Sequence, residues 1–271
     1  MLSPSAPVAD APPAVRPAPL RVVAGACTDI GSVRAENQDT YGSLPTTAVP
    51  GLQAAGAAGP VAQPALFIVA DGMGGHEAGG EASQVAVAAL IAYARAGTHG
   101  DAAGLLGGAI GAANAAVWER ANTGGHLRRM GTTCTVLLVA GGRATVGHVG
   151  DSRAYRVRGG VLEQLTTDHT VAEAARSQPG FAEVARARRH HLTRALGVQP
   201  DVQVDAFDAG PALPDDRFVL CSDGLEPVPA DELRRAVGLY SAQEAAEWLV
   251  ALASARGSRD TATAVVVPVL A

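Results

Sequence analysis

Three short apolar runs in this chain each stop at an aspartate: FIVADG at Asp71, HVGDS at Asp151 and CSDG at Asp223. Two further acids sit in similar polar turns, Asp39 in ENQD and Asp260 in GSRDTAT. Taken singly, each is an ordinary turn residue. Gathered at one end of a sheet, they repel, and repulsion raises their pKa values or destabilises the fold unless a cation neutralises them. Hard carboxylate oxygens suit Mg²⁺ or Mn²⁺ rather than zinc. A bridging carboxylate can hold two such ions about 3.5–4 Å apart, the spacing of two-metal phosphoryl chemistry.

The first of these stretches, PALFIVADGMGGHEAGGEAS from Pro64 to Ser83, sets the local pattern. Leu66 to Ala70 reads as a buried strand that stops at Asp71-Gly72. A glycine-rich turn follows, then a helix-compatible run from about Glu77, and the glycines let the backbone approach whatever it binds. Helical spacing covers Gly79 to Arg95, with Ala82, Val85, Ala86, Ala89 and Leu90 on one face, and Asp101 to Asn122, with Leu105, Ile110, Ala113 and Val117. Strand signals cover Arg21 to Thr28, Thr132 to Val139, Arg143 to Val149, Ser152 to Val157, Val161 to Leu165, Asp201 to Phe207, Arg217 to Ser222 and Thr261 to Val267. Gly141-Gly142 and Gly159-Gly160 mark tight hairpins. Asp231 to Val237 and Ala242 to Ala255 read as helices; Asp29 to Asp39 reads as a polar turn and Tyr41 to Gln63 as a surface loop. Meanders of strands with two separate helical pairs predict an α+β domain of antiparallel sheets covered by helices. The Pro/Ala-rich residues 1–20 read as a disordered tail, leaving 21–271 as the domain.

Composition excludes several classes. A net charge of -5 offers no basic field for nucleic acid. No apolar run approaches the roughly 20 residues of a membrane span, and the N-terminus lacks a signal-peptide pattern, so a cytoplasmic protein without membrane contact is expected. Cys27, Cys134 and Cys221 lie in or beside strand-like runs and read as free thiols in a reducing compartment. None is followed six positions on by the Arg that cysteine-based phosphatases need: those positions hold Val33, Ala140 and Pro227. The glycine loop lacks the spacing of a nucleotide-binding loop, and His76-Glu77 is no HExxH because position 80 is Gly80. His148 reads as a satisfied core histidine and His190-His191 as surface.

The motifs RAENQD, FIVADGMGGHEAGGEAS, MGTTCTVLLV, VGHVGDSRAYRVRGGVLEQLTTDHT, LTRALG, FVLCSDGL and GSRDTATAVVV follow one another in order. Together they resemble the bacterial branch of the metal-dependent PP2C-type (PPM) serine/threonine protein phosphatases, from about Val22 onward. The resemblance implies a four-layer αββα sandwich, two packed antiparallel sheets flanked by helix pairs. It also implies a dinuclear Mn²⁺ or Mg²⁺ site. Asp71 would bridge both ions, the Gly72 carbonyl would ligate one, and Asp223 and Asp260 would bind from the other side. Asp39 would join directly or through water, and Asp151 with Asp223 would form a third, weaker site. Arg34 would grip the substrate phosphate, a role suited to its planar fork, against the alternative of a solvated surface arginine. The implied activity is hydrolysis of phosphoserine and phosphothreonine in proteins by a metal-activated hydroxide, opposing a Ser/Thr kinase, by a monomer.

The pattern is departed from in four places. Gln38 stands where many members have Glu, Met73 where animal members carry His, and Thr261 where Asn is common. Within the flap, Asp168 to His191, a basic run holds Arg186, Arg188, Arg189, His190 and His191, which either attracts acidic phosphopeptides or is a solvated helix face. Two other functions remain: a pseudophosphatase scaffold that binds phosphoproteins without turnover, and a two-metal hydrolase of another substrate such as a phosphodiester.

Overall fold

Along the strand Ala65–Met73, alternate residues part company: Leu66, Ile68 and Ala70 bury against helices, while Phe67 and Val69 bury against a second sheet. That period of two in a strand apolar on both faces requires a layer on each side. The structure, a computed structural model, describes residues 20–44, 61–62, 64–74, 77–96, 101–123, 130–176, 188 and 190–271. The expected tail, all but residue 20, lies outside the described residues, as do Arg186 and Arg189. The strands are β1 (Arg21–Val22), β2 (Gly25–Asp29), β3 (Asp39–Leu44), β4 (Val61–Ala62), β5 (Ala65–Met73), β6 (Gly131–Thr132) and β7 (Cys134–Ala140). They continue as β8 (Arg143–Val149), β9 (Arg153–Arg158), β10 (Val161–Gln164), β11 (Asp205–Pro211), β12 (Arg217–Cys221) and β13 (Ala262–Leu270). The helices are α1 (Glu77–Ala96), α2 (Ala102–Thr123), α3 (Val171–Arg176), α4 (Ala230–Leu239) and α5 (Ala242–Ala255).

Two antiparallel sheets result, one ordered β10-β9-β12-β13-β1-β4 with β2 also on β13, the other β11-β8-β7-β5-β3 with β6 on β5. Their facing sides share a core of Tyr41, Phe67, Leu137, Val146, Phe218 and Val267. Helices α1 and α2 cover the second sheet through Leu90, Leu106, Ile110 and Val117. Helices α4 and α5 cover the first through Leu233, Val237, Leu249 and Val250. The expected α+β sandwich with helix pairs outside is what the chain forms.

Three boundaries differ for physical reasons. The expected loop from Tyr41 begins instead as β3, paired residue for residue with β5. Its TYGSL sequence carries a weak strand signal because it is a sheet edge under a helix; a Cβ on Gly42 would meet Val87 Cγ1 at 2.8 Å. The expected strand Thr132–Val139 breaks at Thr133: its N–H still donates to the Asp71 carbonyl at 2.8 Å, but the Asp71 N–H turns away to the Thr133 hydroxyl at 2.9 Å. β5 runs past Asp71 to Met73, because Gly72 and Met73 pair with Thr132 and Gly131. In α2, Leu106 is fully buried beside Ile110, Ala113 and Val117, while the expected Leu105 is partly buried and packs against the same core.

Candidate functional site

Each expected acid reaches the same edge of the sandwich by a different route. Asp39 opens β3 and stands in register with Asp71 of β5. Asp151 follows β8 after Gly150, whose φ of 113° makes the turn. Asp223 begins a single 3₁₀ turn, Asp223–Leu225, after β12. Asp260 immediately precedes β13, and Arg34 lies in the turn between β2 and β3. Gly72 has no room for a side chain, since a Cβ there would lie 2.0 Å from the Gly79 carbonyl oxygen.

The electrostatics report the crowding. Burial, then the charges of Asp39, Asp223, Asp151 and Asp260, holds Asp71 well above the usual carboxylate range. Burial raises Asp39 to about 7, although hydrogen bonds from Thr263 and Ser222 favour its charged form. Asp151 rises to about 7, again chiefly by burial and then by Asp223. Asp223 is raised by burial and by Asp260.

Hydroxyls hold these acids in place. Ser222 Oγ and Thr263 Oγ1 donate to Asp39 Oδ2 at 2.7 and 2.6 Å. Thr133 accepts from the Asp71 N–H at 2.9 Å through Oγ1, while its own N–H caps the Asp71 carbonyl. Sequence reasoning missed all three; they stand inside the quoted motifs but look there like ordinary strand residues. Arg34 donates Nε–H to Asp260 Oδ1 at 2.7 Å and a second N–H to Oδ2. The fork expected to hold a phosphate thus rests on one of the expected metal ligands.

Above these groups lies a cavity of about 540 Å³ lined by Asp71, Gly72, Asp151, Arg194, Asp223 and Asp260. A second, of about 830 Å³, adjoins it across Arg34, Gln38, His190, Asp223 and Asp260. The pair is large enough for a phosphorylated side chain and its flanking peptide. His190 lines both cavities and His191 the smaller one, so the basic run reaches the site at those two residues.

Among the described residues, no three Asp, Glu, His or Cys side chains are drawn up tightly enough to hold a metal ion as they stand; Asp260 is turned to Arg34. The donor set nonetheless fits a hard divalent cation. Asp39 Oδ1 and Asp223 Oδ1 are buried without a hydrogen-bond partner among the described residues. Such orphaned carboxylate oxygens are costly unless a cation meets them. His148, by contrast, is fully buried, and both its ring nitrogens are engaged, by Thr135 Oγ1 and the Thr167 carbonyl. Cys27, Cys134 and Cys221 are free thiols.

Comparison with known proteins agrees with this geometry. The protein phosphatase 2C family profile matches residues 54–265. The chain is 35% identical over 251 residues to the serine/threonine protein phosphatase PstP of Mycobacterium tuberculosis, covering 90% of this chain and 44% of that protein. The chain thus spans less than half the length of that relative. With the serine/threonine phosphatase stp of Listeria monocytogenes it shares 35% identity over 211 residues, 74% of this chain and 83% of the relative. The solved catalytic domain of the serine threonine protein phosphatase PstP, in complex with two manganese ions, matches with a TM-score of 0.74 at 34% identity, over 93% of this chain and 100% of that one.

Proposed function

This chain belongs to the protein phosphatase 2C family, and from that premise we propose that it hydrolyses phosphoserine and phosphothreonine in proteins. The observation that carries the reading is the convergence of Asp39, Asp71, Asp151, Asp223 and Asp260 beside Arg34 at one cavity.

Asp71, with the Gly72 carbonyl, Asp39, Asp223 and Asp260, would hold two Mn²⁺ or Mg²⁺ ions, and Asp151 with Asp223 a third. When bound, such cations supply an activated water near neutral pH and offset charge on phosphoryl oxygens. The chain's own residues do the positioning. Ser222 and Thr263 orient Asp39, and Thr133 fixes the peptide of Asp71 from both sides. Arg34 presents a planar fork whose geometry matches two phosphate oxygens. Its pair with Asp260 is half-exposed, 49% and 37% for the two side chains, and such pairs contribute at most about 1 kcal/mol. A phosphate or a cation can therefore separate them.

A scaffold without turnover is not favoured, because a binding module gains nothing from acids that destabilise one another. A nucleic-acid phosphodiester is disfavoured by the net charge of -5. No helix among the described residues is long and apolar enough to cross a membrane. The free thiols suit a reducing compartment, and we propose a cytoplasmic monomer that opposes a Ser/Thr kinase. Purified protein with Mn²⁺ hydrolyses a phosphothreonine peptide and stops on addition of EDTA; no hydrolysis under these conditions defeats the reading.

A further inference from the structure

Gly150, next to Asp151, is caught twice by one residue. Its carbonyl accepts from the His169 N–H at 2.7 Å, and its own N–H donates to His169 Nδ1 at 3.1 Å. A ring nitrogen that accepts carries no proton, so the neutral imidazole is protonated at Nε2. That N–H donates to Asp205 Oδ2 at 3.0 Å, Asp205 Oδ1 accepts from Arg194 Nη1 at 2.7 Å, and Nη1 also lies 3.1 Å from His169 Nε2, closing a three-membered cluster. The His169 carbonyl accepts from Thr193 N–H at 2.8 Å. His169 is buried and its ring packs against His148, with centroids 4.7 Å apart. Gly150 has no room for a side chain, since a Cβ there would meet Thr133 Cβ at 2.6 Å.

One residue therefore grips two parts of the cavity wall: the turn carrying Asp151, and the Thr193-Arg194 segment opposite. We propose that His169 is a positioning residue for the phosphatase reaction, fixing the Asp151 turn through Gly150 and fixing Arg194 at the substrate side through Asp205. This rests on the phosphatase reading above. The two ring nitrogens separate the two effects. Nδ1 serves the turn, and so turnover; Nε2 serves Arg194, a cation on the wall that meets an anionic peptide, and so substrate affinity.

The full chain, assayed with Mn²⁺ and a phosphothreonine peptide, tests this through kcat and KM measured separately, with a melting temperature for each variant. His169→Asn keeps an acceptor for the Gly150 N–H but loses the reach to Asp205. It should hold kcat within about 2-fold and raise KM about 10-fold. His169→Gln reaches toward Asp205 but leaves the Gly150 N–H unmet, although the backbone bond to the Gly150 carbonyl remains, and should lower kcat about 10-fold or more with little change in KM. Asp205→Ala should repeat the Asn pattern, and it reads the KM arm even if a His169 variant fails to fold. Identical behaviour of the Asn and Gln variants, losses that merely follow melting temperature, or an unchanged KM in Asp205→Ala overturns the assignment. If the wild-type chain itself turns over no phosphopeptide, the phosphatase reading falls and this one with it.

Discussion

Asp39 faces Asp71 on the first rung of the β3–β5 pairing. Like charges opposed across a sheet destabilise it. Here the rung survives because two hydroxyls, from Ser222 and Thr263, take one Asp39 oxygen and leave the other bare.

The first consequence is a pH dependence. Asp39 and Asp151 are raised from 3.8 to about 7, so between those values the folded chain holds more protons than the unfolded one. Stability is then fully present in acid and is lost as pH rises through about 7. His148, lowered to about 4 by burial, works oppositely, but only below about 6.5. Metal-free protein should therefore melt a few degrees lower at pH 8 than at pH 6.5, from about 1 kcal/mol per carboxyl. Mn²⁺ should shrink the difference. Calorimetry in EDTA decides; a melting temperature that is flat or rising over this interval contradicts the assignment.

Removing one charge should separate stability from activity. Asp71→Asn and Asp223→Asn relieve repulsion, so each should melt at or above the wild-type temperature in EDTA. Each should nonetheless lose turnover by orders of magnitude with Mn²⁺, since a neutral amide is a poorer ligand for a hard cation. Persistence of activity in either variant would remove that residue from the metal site.

Arg34→Ala discards a fork whose partner is half-exposed. The melting temperature should stay within a degree or two. KM for a phosphopeptide should rise roughly 10- to 100-fold, through loss of a charge-assisted bidentate contact. Steady-state kinetics that leave KM unmoved would take Arg34 out of substrate binding.

Gly72→Ala forces a methyl to within 2.0 Å of the Gly79 carbonyl oxygen, backbone against backbone. It should cost about 3 kcal/mol or more in urea unfolding. Gly80→Ala is the control: its nearest neighbour would be the Asn37 carbonyl oxygen at 3.6 Å, and in α1 it should be neutral or stabilising by up to about 1 kcal/mol. Equal effects of the two would show that close packing at Gly72 is not what constrains it.

Much of this was legible in the chain. Strands leading into Asp71, Asp151 and Asp223, both helical pairs and the Gly141-Gly142 hairpin follow from periodicity and turn chemistry, and the ordered motifs carried the sandwich. β3 was not legible, because a short edge strand rich in small and polar residues gets its conformation from its partner rather than from its own propensity. Nor were Thr133, Ser222 and Thr263: a hydroxyl in a strand looks the same whether it fills space or aims a carboxylate. The Arg34–Asp260 pair joins positions 226 residues apart, which no local pattern reports.

β13 pairs with β12, β2 and β1, has Asp260 just ahead of it and supplies Thr263 to Asp39. It is also the last of the described elements to leave the ribosome. A nascent or proteolytically clipped chain lacking it has neither the middle of that sheet nor the hydroxyl that holds Asp39, so the acids are gathered only once this strand has been delivered.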